Sequence, residues 1–170
     1  MRRNRILIVI GVLFVIGFFT CKKGEEPKEK TQVKLSVENL VTLADVDSIS
    51  GFKGMKLVPT DSLPEAKGEL NFAINDSTLI LVVDYLSPNE FNVYKEQSEY
   101  IEAAVPGIGD EAFSAPMGPM QYILLFRKGD HSFLLSSFLN PDSEWGAPFL
   151  NMEQLEKVAK IIISRIQSSG

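Results

Sequence analysis

Cys21 and His131 each occur once in the 170-residue chain, and they are its most reactive side chains near neutral pH. A single cysteine cannot close an internal disulfide or build a cysteine metal site. A single histidine excludes any metal centre that needs two imidazoles. A serine nucleophile would need His131 as its base, yet no Gly-x-Ser-x-Gly elbow accompanies it. Asp110 and Glu111 are adjacent, so in an extended segment they point to opposite faces and do not converge on one substrate. Met117 and Met120 offer thioethers suited to Cu(I), but without histidine they make no ligand set. The residue types therefore predict no catalytic residue, no metal and no cofactor. They favour binding, with Trp145 as a flat apolar contact, Arg127 as an anion partner and the Asp110–Glu111 turn beside them.

Cys21 has a more specific setting. Arg2, Arg3 and Arg5 precede an apolar run of 14 positions, Ile6–Phe19, which Thr20 separates from the cysteine. A cationic start and a short apolar stretch are the pattern of an export signal. A permanent span needs about 20 residues to cross roughly 30 Å of hydrocarbon, so residues 1–20 read as a signal peptide. Cys21 reads as the lipid-attachment residue, held at the membrane by acyl chains. Phe18, three residues before the cysteine, departs from the usual leucine; an uncleaved amino-terminal anchor is the alternative. Residues 21–33 carry no large apolar side chain beyond Cys21 until Val33 and read as a flexible tether.

The rest, 34–170, is long enough for one core. The formal charge is −5; without the three leader arginines, 14 basic residues face 22 acidic ones. That balance excludes a nucleic-acid partner, which needs clustered cations. Thr42–Ser50, with Asp45 three residues after Thr42 and Gly51 at the end, predicts a short helix. Met55–Val58 reads as a strand and Thr60–Lys67 as a loop. Glu69–Ile74 and Thr78–Leu86 predict a hairpin, and the unbroken Leu79–Val83 run predicts a strand covered on both faces. Ser87-Pro88-Asn89-Glu90 opens a helix whose spacing runs through Phe91, Tyr94, Ser98 and Ile101. Val105–Phe113 reads as a glycine-rich turn. Gln121–Phe126 and Ser132–Phe138 predict a second hairpin about Gly129-Asp130, with His131 at its edge. A loop carrying Trp145 leads to a closing helix opened by Asn151 and Gln154, with Leu155, Val158, Ala159, Ile162 and Ile166 as its buried stripe. The expected class is α+β: a twisted, mainly antiparallel sheet packed by about three helices.

Four segments carry a resemblance: Ala44-Asp45-Val46 through Gly54–Pro59, Gly68–Ala73, Val105–Phe113 and Phe126–Asp130. With the closing helix they resemble small exported bacterial lipoproteins and sensor-type domains, with a Gly-x-Gly-Asp-Glu-Ala turn and an Arg-Lys-Gly hairpin, sometimes related to the PsbP-like fold. The resemblance spans most of residues 40–167. It implies an α+β sandwich, a lipid-anchored place in the cell envelope (outer membrane or periplasmic face) and no catalytic residues. The expected role is a non-enzymatic, membrane-anchored domain that binds an envelope protein or small ligand. A small exported hydrolase and a passive structural or stress-related envelope component are the alternatives.

Overall fold

The computed structural model describes residues 36–58, 68–75, 78–97, 101, 103–116, 121–143 and 146–168. All belong to one compact unit, Lys34–Gly170. The leader, the whole tether with Cys21, the Thr60–Lys67 loop, Met117, Met120 and Trp145 lie outside the described residues.

Among the described residues there are three α-helices and seven strands. Helix α1 (Leu43–Ser50) starts at a capping box. The Thr42 amide donates to Asp45 Oδ2 at 2.8 Å, and the Asp45 amide donates to Thr42 Oγ1. It ends at Gly51 in the left-handed region. Helix α2 (Pro88–Glu96) starts at the Ser87–Glu90 capping box. Helix α3 (Met152–Ser168) is preceded by reciprocal bonds between Asn151 and Gln154, each 3.0 Å. In each case the cap satisfies amides that have no partner inside the helix.

The strands are β1 (Met55–Val58), β2 (Glu69–Ile74), β3 (Thr78–Leu86), β4 (Ala103–Ala104), β5 (Glu111–Pro116), β6 (Gln121–Lys128) and β7 (His131–Phe138). They form one open sheet in the order β1-β2-β3-β7-β6-β5-β4, and every neighbouring pair is antiparallel. Both expected hairpins are present. Gly129, at φ 58, leads the two-residue turn between β6 and β7. Strand β3 sits inside the sheet, and Ile80–Val83 are buried without a break. This fits an apolar run with no polar alternation.

Period-two alternation gives the sheet two unlike faces. One carries Phe72, Val83, Leu124, Phe126, Phe133 and Leu135 under α1 and α3, whose Val46, Leu155, Val158 and Ile162 complete the main core. Phe126 stacks on Phe133 at 5.2 Å between ring centres, and Tyr85 meets Phe133 edge-on at the same separation. The other face is smaller. Leu86, Ala115, Ile123, Leu125 and Leu134 pack there around Phe91 of α2.

Three features differ from the sequence reading. Strand β5 begins at Glu111, inside the Val105–Phe113 stretch expected as a turn, and pairs with β6. Helix α2 ends at Glu96, short of the Ser98 and Ile101 positions that continue its spacing. Gln97 leaves the helical region, and Ala103–Ala104 pair with Ser114 and Phe113, so the chain must unwind to reach the sheet edge. In addition, a register shift lies between Phe72 and Ala73, where Ile80 of β3 takes no partner.

Candidate functional site

The glycine-rich turn packs against the β6–β7 hairpin. Gly109 has φ +60, and a Cβ there would fall far inside contact distance of the Arg127 carbonyl oxygen. Only glycine lets the backbone approach this closely. The Asp110 amide then donates to Arg127 O at 2.8 Å.

From this point the two acids diverge. Asp110 accepts from Lys128 Nζ and from the Gly129 amide, each at 2.7 Å. Those two bonds, the lysine first, hold its carboxyl below the usual range. Glu111 lies directly opposite Arg127 in the β5–β6 register and forms an ion pair with its guanidinium. The same carboxylate accepts from Lys95 Nζ of α2 at 2.6 Å. Arg127 also lies over the Phe91 ring at 5.4 Å, and Lys95 over Phe113 at 5.3 Å. The fold thus gathers Arg127, Asp110 and Glu111 into one corner and engages all three charges with one another or with lysines. This cluster ties the turn to the hairpin and touches α2 through the partly exposed Lys95. His131 is part-buried, and its Nδ1 shares a 2.9 Å hydrogen bond with Tyr85 Oη.

Beside that corner is a feature the sequence reading did not single out. Tyr94, Gln97, Ile101, Phe113, Ala115, Ile123 and Leu125 are among the residues lining a slot between the end of α2 and strands β5 and β6. Its open volume is about 330 Å³, yet its walls leave room between them for about one water. The lining is mainly apolar, with Tyr94, Gln97 and Ser114 as its polar residues.

No protein-family model, curated protein or solved structure matches the chain.

On the sheet face beneath α2, Asp84 of β3 stands directly opposite Glu69 of β2, and the two carboxyls are hydrogen-bonded. Burial is the largest influence on Asp84, followed by the charges of Glu69 and Glu90; together they push its pKa up to about 7. Tyr94 links the two features. It lines the slot, and burial with the charges of Asp84 and Glu90 raises its hydroxyl pKa. The signal in the sequence was one acid inside an apolar strand, Val82-Val83-Asp84-Tyr85-Leu86. Among the described residues no group of three or more His, Cys, Asp or Glu is arranged to hold a metal ion. No described helix is long and apolar enough to cross a membrane.

Proposed function

We propose that the chain is a lipid-anchored protein of the bacterial cell envelope whose folded domain binds a small apolar ligand in the slot between α2 and strands β5 and β6, without catalysing a reaction on it. The observation that carries the address is the position of Cys21, directly behind an arginine-led apolar run. The lining of the slot supports the ligand class. Five apolar side chains would take a hydrophobic body, and Tyr94 and Gln97 could fix one polar group on it. Two charged candidates of the sequence, Arg127 and Glu111, lie beside the slot, and Glu111 also meets Lys95 of α2 in a partly exposed contact.

Detergent-phase partitioning tests the anchor. The native protein goes to the detergent phase, and Cys21→Ser goes to the aqueous phase with its leader removed. If Cys21→Ser still partitions into detergent, the anchor is an uncleaved helix and the lipoprotein reading is lost. The slot is tested separately with the neutral fluorophore N-phenyl-1-naphthylamine. The native protein binds it, and Ala115→Leu, which fills the slot, weakens binding while leaving the circular dichroism unchanged. Equal binding by both proteins places the ligand elsewhere.

A further inference from the structure

The slot is too narrow for a ligand while α2 is seated, and α2 and the residue that caps its end supply two of its walls, Tyr94 and Gln97. The same helix lies beside Asp84: its Phe91 packs in one cluster with Leu86 and Leu134, and Leu134 faces Asp84 in the β3–β7 register. We propose that α2 is a proton-controlled lid: it is seated while Asp84 and Glu69 share a proton, and it lifts from the slot when that proton leaves. The proposal rests on the slot reading above and is independent of the anchor.

The geometry has three parts. First, Asp84 and Glu69 are direct cross-strand partners, a position in which two negative charges repel most strongly. Second, among the described residues no cation acts on Asp84. Glu69 comes from β2, and Glu90 and Tyr94 come from α2. Strand β7 sets Leu134 directly opposite, with Ser132 and Ser136 at the diagonals. Every charge that acts on Asp84 is negative. Third, α2 is weakly held. It has nine residues, below the roughly 12–15 at which an isolated helix begins to persist. Its one fully buried side chain is Phe91, while Val93 is 47% exposed. The ion pair from Lys95 to Glu111 is partly exposed and adds little.

Deprotonation therefore places a charge on Asp84 between Glu69 and Glu90. The strands are fixed by the sheet ladder, so α2 is the element free to yield. Burial and like charges set the transition near neutrality, where modest changes in acidity would move the lid.

Hydrogen exchange on the full chain in detergent micelles tests this, with rates corrected for their intrinsic pH dependence and α3 amides as the internal reference. Protection of the Phe91–Gln97 amides should fall by at least about tenfold between roughly pH 5.5 and 8.5 while α3 stays protected. Asp84→Asn imitates the neutral carboxyl and should keep α2 protected throughout. Glu69→Gln, which also removes one charge, should shrink the drop and serves as the check should Asp84→Asn misfold. The proposal is overturned if α2 protection is flat with pH, if α2 and α3 lose protection together, or if either variant retains the full drop. Absence of fluorophore binding with an α2 that still moves would remove the ligand reading alone.

Discussion

Arg165 grips Asp45 across 120 residues of chain: Nη1 donates to Oδ2 at 2.7 Å and Nη2 to Oδ1 at 2.9 Å. Nη1 also donates to the Leu40 carbonyl at 3.0 Å. Asp45 is at the same time the capping acid of α1, so one carboxylate closes the start of α1 and ties it to the end of α3. At the opposite end of this helix pair, Gln154 Nε2 donates to the Ile49 carbonyl at 3.0 Å. The layer of helices over the main core is thus pinned at both ends by polar contacts that also serve as caps.

Asp45→Asn should therefore cost about 2 kcal/mol at neutral pH, since it weakens a cap and a two-pronged charged contact together. The Arg165 hydrogen bonds are the largest cause that lowers the Asp45 pKa, so its stabilisation is present above the ordinary value of 3.8 and disappears as pH falls through the lower folded value. Urea midpoints of native and Asp45→Asn protein should differ at pH 7 and converge as the pH falls below the ordinary carboxylate value of 3.8. Arg165→Lys should recover only part of the loss, because a lysine cannot fork. A constant gap down to acid pH would show that the carboxylate charge contributes nothing.

Gly109 and Gly107 share a turn and separate two costs. Both have positive φ, 60 and 81 respectively, but a Cβ at Gly107 meets nothing within 4 Å, whereas one at Gly109 runs into the Arg127 carbonyl. Gly107→Ala should cost about 1 kcal/mol, the strain of the backbone region alone. Gly109→Ala should cost more than about 2 kcal/mol and disturb the Asp110 amide bond to Arg127. Chemical denaturation of the two variants checks the order; equal losses would mean that the close approach is relieved at no cost.

The sequence makes visible what is fixed locally. Thr42 with Asp45, Ser87 with Pro88 and Glu90, and Asn151 with Gln154 announce three helix starts, because capping chemistry acts within four residues. Gly129 announces the β6–β7 turn for the same reason. Contacts over longer range are hidden. Nothing local shows that β3 lies against β7, or that α2 stops at Glu96 so that Ala103–Ala104 can join β5. The acid pair is the sharpest case. Counted from the turn, where Ile74 faces Thr78 and Ala73 faces Leu79, a regular hairpin would set Glu69 against Val83. The bulge at Ile80 advances the register by one and brings Asp84 there instead. In the charged corner, Arg127, Asp110 and Glu111 were visible as residue types, but Lys95, which completes the set from α2, was not.

Glu111 serves two cations, and its removal should show in salt dependence. Its side chain is 21% exposed, and those of Arg127 and Lys95 are 40% and 43% exposed. Contacts this open to solvent are worth about 0–1 kcal/mol each. Glu111→Gln should lower stability by about 1 kcal/mol at low salt and by much less in about 1 M salt, where screening acts within roughly 3 Å. Thermal unfolding at the two ionic strengths measures this. A loss unchanged by salt would assign the role of Glu111 to packing.

Asp84 should make the protein less stable as pH rises, the reverse of the Asp45 effect. Its folded pKa of about 7 lies above the ordinary 3.8, so between those values the folded chain holds a proton that the unfolded chain has released. Stability then declines from about pH 4 to about pH 7, and the full cost is present above the folded value. The cost is at most about 4 kcal/mol, and about 2 kcal/mol is expected once solvent screening of the partly exposed side chain is allowed for. Asp84→Asn removes the titration. It should match the native protein near pH 4, exceed it by that margin at pH 8, and flatten this part of the pH profile. Equal melting temperatures for the two proteins at pH 8 would mean that Asp84 ionises at its ordinary pKa despite facing Glu69.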